Sequence, residues 1–265
     1  MRITLLFIAL GLNFQIYSQI AGPIQIIDNS TGSGGAKHIG TADLNNDGLT
    51  DIIISRGYNI DDIGIYWNNG SGSFTADILG TIMDPVFTNF GDFDGNGFLD
   101  IVVITEPNGD LWFYPNTNGS VFGSPVLVDT EATFGKVIEV ADFDADADED
   151  MVVIWQHSIN FYRNDGNANF TKEPILTTAT SPNLLECWDM KIADMDNDGD
   201  QDVVTAETIG GVVYENDGTG IFTPHTITGS AHKTMSALSI FDADNDNLMD
   251  VAFHTSASAM ELYQN

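Results

Sequence analysis

Five nine-residue segments, each beginning and ending with aspartate, recur along the chain at nearly constant spacing. They run Asp43–Asp51, Asp92–Asp100, Asp142–Asp150, Asp194–Asp202 and Asp242–Asp250, with first aspartates 49, 50, 52 and 48 residues apart. A period near 50 is the size of one supersecondary unit, so the chain reads as an array of five such units, stacked because none can bury its apolar face alone.

The segments hold 21 of the 39 acidic residues. Carboxylates packed so densely repel one another in a folded chain unless a cation lies between them. Positions 1, 3 and 5 carry Asp or Asn in all five loops. That alternation suits calcium, which takes about six to eight oxygen ligands, with a backbone carbonyl supplied at position 7. Asp at position 9 closes each segment, so the loop is shorter than that of an EF-hand. Position 6 must turn with positive φ and is Gly48, Gly97 or Gly199 in three loops. Asn247 tolerates that region, whereas Ala147 carries a steric penalty of roughly 1 kcal/mol, so distortion is expected in the third loop although it has the most carboxylates. Up to five Ca²⁺ ions are the expected cofactor.

Each loop is followed at once by a short apolar run: Ile52–Ile54, Ile101–Ile104, Met151–Ile154, Val203–Val204 and Val251–Phe253. Such runs read as strands buried on both faces. Alternating residues such as Ile138 and Val140, or Met190 and Ile192, mark a strand entering the loop. Downstream, Trp67, Tyr114, Tyr162, Tyr214 and Tyr263 end a further strand and are expected to pack between units. Turn residues follow, and then a fourth strand opens with Phe74, Phe122, Phe170 or Phe222. Four short antiparallel strands in about 50 residues make a propeller blade.

The repeats resemble FG-GAP or VCBS-type repeats, the calcium-loop blades of integrin alpha-chain propellers and of many bacterial surface and secreted proteins. The resemblance rests on the loops, the Tyr-x-Asn signals and the Phe-Thr signals, and it covers residues 19–265. It implies an all-β, five-bladed β-propeller with four-stranded antiparallel blades. It also implies ligation by Asp43, Asn45, Asp47 and Asp51 in the first loop and by Asp92, Asp94, Asn96 and Asp100 in the second. The third loop would use Asp142, Asp144, Asp146 and Asp150, the fourth Asp194, Asp196, Asp198 and Asp202, and the fifth Asp242, Asp244, Asp246 and Asp250. Carbonyls of Leu49, Phe98, Asp148, Asp200 and Leu248 would complete the sites. Propellers of that family commonly have more than five blades. Here the last repeat stops at Asn265, and Gly22–Asp28 resembles the fourth strands near Pro125 and Pro174. The N-terminal strand is therefore expected to complete the last blade and close the ring.

Arg2, the apolar run Ile3–Leu12 and Ser18 before Gln19 read as a signal peptide over 1–18, leaving one domain over 19–265. The apolar run falls well short of the roughly 20 residues that cross a bilayer, so no membrane span is expected. Export to the cell surface, periplasm or medium follows, and a monomer is expected. The single Cys187, expected to be a small buried hydrophobe, excludes an intrachain disulfide and leaves metal as the source of rigidity. A net charge of −31 excludes nucleic acid as a main partner. Hydrophobic content of 43% with 16 Phe speaks against disorder.

No H-E-x-x-H or G-x-S-x-G motif is present, and no catalytic residue is assigned. The expected role is an adhesion or ligand-recognition module for an extracellular glycan or protein, with calcium mainly structural. The alternative is a polysaccharide-active lyase or hydrolase with a pocket at the channel mouth. Arg56, Tyr58, Trp155, His157 and Trp188 fall at connections remote from the loops and are the candidate ligand-binding residues.

Overall fold

The computed structural model describes residues 26–27, 35–58, 60–106, 108–177, 187–208, 210–227, 235–255 and 259–265. The expected signal peptide over 1–18 lies outside them. Of the strand expected over Gly22–Asp28, only Ile26 and Ile27 are described; both are exposed and neither is in a strand.

Thr31–Asn265 is one compact unit of five antiparallel sheets. The first blade holds β1 (Ala36–Ala42), β2 (Asp51–Arg56), β3 (Asp62–Asn68) and β4 (Phe74–Thr81). The second holds β5 (Pro85–Gly91), β6 (Asp100–Thr105), β7 (Asp110–Tyr114) and β8 (Val126–Thr130). The third holds β9 (Gly135–Ala141), β10 (Asp150–Trp155), β11 (Ser158–Asn164) and β12 (Phe170–Thr177). The fourth holds β13 (Cys187–Ala193), β14 (Asp202–Glu207), β15 (Gly210–Asn216) and β16 (Phe222–Thr226). The fifth holds β17 (Met235–Phe241), β18 (Asp250–Thr255) and β19 (Met260–Tyr263), three strands among the described residues. This is the all-β, five-bladed propeller architecture, and each aspartate loop joins the first strand of its blade to the second. No helix among the described residues is long and apolar enough to cross a membrane.

Burial along the second strands shows how the blades stack. Every residue of β6, β10 and β14 is buried, because a blade lies against each face. In β2 burial alternates, and in β18 Ala252 and His254 are left open, because each of these blades has one neighbour among the described residues. Four apolar clusters fill the four interfaces, and each takes the second residue of a loop as a plug: Leu44, Phe93, Phe143 and Met195. Tyr114, Tyr162 and Tyr214 lie buried in these interfaces, as expected. Phe170 and Phe222, which open fourth strands, meet the Phe93–Phe113 and Phe143–Phe161 pairs of the preceding blade edge to face. Cys187 is buried in the interface of the third and fourth blades, where desolvation pushes its thiol well above the usual range.

A hydrogen-bonded latch accompanies each apolar interface. The Nδ2 of Asn116 donates to the Leu44 carbonyl of the preceding blade at 2.9 Å and to Leu99 of its own blade at 3.0 Å. Asn164 does the same to Phe93 and Glu149 at 2.8 and 3.1 Å, and Asn216 to Phe143 and Gln201 at 2.7 and 3.3 Å. Asn265 reaches the Met195 carbonyl. Asn68, the first of the series, donates to Thr50 of its own blade.

Candidate metal centres and ligand face

The five loops share one backbone path. Positions 4 and 6 both have positive φ in every loop, for example Asn46 at 58° and Gly48 at 84°. A Cβ at Gly48, Gly97 or Gly199 would meet nothing within 4 Å, so glycine is favoured there by φ alone. The third loop follows the same path with two alanines, Ala145 at 59° and Ala147 at 73°. The expected distortion is therefore absent, and the strain stays in the backbone of a loop held by its hydrogen bonds. Ala145→Gly and Ala147→Gly are each expected to stabilise the protein by about 0.5–1 kcal/mol, since relief of the left-handed strain exceeds the added freedom of the unfolded chain. The check is the urea midpoint, and an unchanged or lower midpoint would count against strain.

Inside each loop the position-1 aspartate folds the turn. Asp43 accepts the amides of Asp47 at 3.1 Å and Gly48 at 2.8 Å, and Asp92, Asp142, Asp194 and Asp242 repeat the pattern. Position 5 accepts the amide of position 7, as Asp198 does from Asp200 at 3.0 Å. The position-9 aspartates are buried and doubly engaged. Asp150 Oδ2 accepts the Phe143 amide at 3.2 Å, and its Oδ1 accepts the Asn164 amide at 2.7 Å. Asp51, Asp100, Asp202 and Asp250 make the same two bonds. These residues thus tie the loop to the end of the third strand, a task their place in the repeat did not announce.

Burial pushes Asp100 and Asp150 up to about 7, helped by the charges of Asp94 and Asp92 in one loop and of Asp146 and Asp142 in the other, and opposed by the two amide bonds. Desolvation raises Asp51 and Asp202 as well. A cation within the loop would return these groups to their charged form.

Carboxylate oxygens converge within 4.8 Å in four loops: Asp92, Asp94 and Asp100; Asp142, Asp144 and Asp146; Asp194, Asp196 and Asp202; Asp242, Asp244 and Asp246. In the first loop Asn45 holds position 3, so an amide oxygen stands there in place of a carboxylate. The donors are oxygen throughout, and the Oδ1 of Asp144 is buried with no hydrogen-bond partner. Such a set fits a hard divalent cation.

The candidate ligand residues all lie at the blade ends remote from the loops, but the structure gathers them unevenly. Arg56 is spent on Asp62, with Nε to Oδ1 at 2.7 Å and Nη2 to Oδ2 at 3.0 Å, and reaches the Tyr66 hydroxyl at 3.3 Å. Trp155 is wholly buried in the cluster between the second and third blades and presents no surface to a ligand, because the apolar strand that carries it has a blade on both faces. Tyr58 and Trp188 are exposed, and each carries an ammonium over its ring: Lys37 at 3.8 Å and Lys136 at 4.1 Å. His157 lines a cleft of about 520 Å³ with Glu131, Thr133, Ser158, Asn160, Lys172 and Pro174. Within it Asn160 donates to Glu131 at 2.9 Å, while Lys172 pairs with Glu131 and, at 2.8 Å, with Asp129. Sequence reasoning found His157 but missed the rest of this cleft, which is built from three segments that no motif marks.

A model of the FG-GAP-like repeat matches residues 43–103, 92–153, 142–205 and 194–253, each match running from one loop through the next. No curated protein matches the chain. A lectin of Agrocybe aegerita, described by its specific recognition of non-reducing terminal N-acetylglucosamine, is similar in fold, with a TM-score of 0.53 and 24% identity over 70% of this chain. This chain spans 50% of that lectin's length. A putative phosphatase of Bacteroides thetaiotaomicron superposes with a TM-score of 0.54 at 11% identity, over 86% of this chain and 61% of that one. At these identities the likeness is one of fold.

Proposed function

This chain belongs to the FG-GAP-like repeat family, and from that premise we propose that it is an exported, calcium-stabilised β-propeller that recognises an extracellular glycan. Calcium suits the acidic clusters because every donor is oxygen and the loops are short enough to converge several carboxylates on one point. Asp92, Asp94 and Asp100 would hold one ion, and the clusters of the third, fourth and fifth loops would hold others. Their role is structural: the loops lie between the first and second strands of each blade, and bound cations offset the repulsion of a chain of charge −31.

The observation that carries the recognition role is the cleft at His157. Its 520 Å³ falls within the ordinary range for small-molecule sites, roughly 300–1,000 Å³. Its walls offer hydroxyl, amide, imidazole, ammonium and carboxylate groups, with Lys172 and Glu131 already paired to each other. Paired charges and convergent polar groups suit the hydroxyls of a sugar better than an ionic ligand. The glycan-binding lectin of similar fold adds support. A glycan and matrix-protein screen on the calcium-loaded protein tests this reading. Binding to a glycan is expected, weakened about tenfold or more in His157→Ala, which corresponds to roughly 1.4 kcal/mol. A screen without hits, or full binding by the variant, would overturn it.

A further inference from the structure

The third loop departs from the others at position 3. In the first, second and fourth loops the Oδ1 of Asn45, Asp94 and Asp196 accepts the position-5 amide at 3.0, 3.2 and 3.2 Å. Asp144 is turned instead so that its Oδ2 pairs with the Arg163 guanidinium, and its Oδ1 has no hydrogen-bond partner. The Asp144 side chain is 7% exposed, and its carboxylate lies within 4.8 Å of those of Asp142 and Asp146.

Arg163 is not a loose surface cation. Its Nε meets Glu173 at 3.0 Å, its Nη2 donates to the Thr219 carbonyl of the fourth blade at 2.9 Å, and its guanidinium carbon lies 5.0 Å from the centre of the Phe161 ring. It occupies the middle of Tyr162-Arg163-Asn164, and the same place in the fifth blade holds Gln264, which donates to Asp244 at 2.9 Å. In the fourth blade it is Glu215, which pairs with His225. In the third and fifth blades the residue between the Tyr and the latch Asn therefore faces position 3 of its own loop, as a cation in one and an amide in the other.

We infer that Arg163 is an internal counter-ion of the third loop, which competes with a divalent cation for Asp144 and holds that loop in shape without metal. The inference rests on the metal reading of the loops. By carboxylate count alone the third loop, with six acidic residues, would bind most tightly. With a guanidinium on one ligand it binds more weakly than the fourth, because the ion must displace a fixed positive charge or bear its repulsion. The loop that strains two alanines is also the one with a built-in cation, so it can keep its path when the others lose theirs.

Calcium titration by calorimetry on the full chain tests this with four proteins. Arg163→Gln, which copies the fifth blade, is expected to tighten one site about tenfold or more and leave the others unchanged. Arg163→Lys, which keeps the charge, is expected to stay close to the wild type, and Asp144→Asn in the Arg163→Gln background is expected to abolish the gain. Equal affinities in wild type and Arg163→Gln would overturn the inference while leaving the metal reading intact. No binding in any of the proteins would overturn both. Hydrogen exchange of the unaltered protein in EGTA gives an independent reading: third-loop amides should remain protected while those of the second and fourth loops exchange. Equal exchange in all of them would overturn the inference even if the glutamine variant did not fold.

Discussion

Excess EGTA is expected to lower the midpoint of thermal unfolding by roughly 10 °C or more, and to do so more strongly at pH 8 than at pH 5. One site at a hundred times its Kd contributes about 2.7 kcal/mol. A midpoint moves by roughly 2–4 °C per kcal/mol in a domain of this size, so two occupied loops are enough. The pH dependence comes from Asp100 and Asp150. Their carboxyls titrate near 7 in the metal-free fold, against about 4 in an unfolded chain. Between those values the folded chain holds protons that the unfolded chain has released. The stability they contribute is therefore complete below about pH 4 and is lost as the pH rises through about 7. A bound cation favours the charged carboxylates and removes that loss. Scanning calorimetry at both pH values, with calcium and with EGTA, measures the effect, and superimposable melts would refute the structural role of the metal.

Asp150→Ala is expected to cost about 3–5 kcal/mol, with most of the loss persisting in EGTA. The buried carboxylate receives two backbone amides, Phe143 at 3.2 Å and Asn164 at 2.7 Å, and each would be left without a partner at about 1–3 kcal/mol. The comparison in EGTA separates the two tasks of this residue, since a pure metal ligand would lose its importance once the metal is gone. Asp150→Asn should fall between, because its amide oxygen can still accept. Urea denaturation of the three proteins decides the matter. A loss below about 1 kcal/mol in EGTA would mean that the amides find other partners.

The architecture was legible because the same constraint is written five times. A loop with acids at fixed positions, followed by Ile101–Ile104 or Met151–Ile154, can only be a turn feeding a strand covered on both faces. What stayed hidden depends on contacts across about 70 residues. Asn116, Asn164 and Asn216 read as ordinary turn residues, yet their amides seal the preceding blade. Trp155 looked like a ligand-face residue because it ends a strand. Its place in the all-buried β10 was the signal against that reading. In β18 the sequence sets His254 at a position where the inner blades place the buried apolar residues Ile104, Ile154 and Ala206. Beyond His157 the cleft had no signature, since Glu131, Asn160 and Lys172 meet only in the folded third blade and its junction with the second.

The latch also gives the array a direction. The second residue of each of the first four loops sends its amide to an aspartate of its own blade and its carbonyl to an asparagine of the next. Each of these loops is thus tied by its latch to the outer hairpin of the following blade. Among the described residues four such latches follow one another, from the first loop to the end of the fifth blade. The repeated parts are thus sewn together in one sense by their latches, each loop holding the hairpin that comes after it.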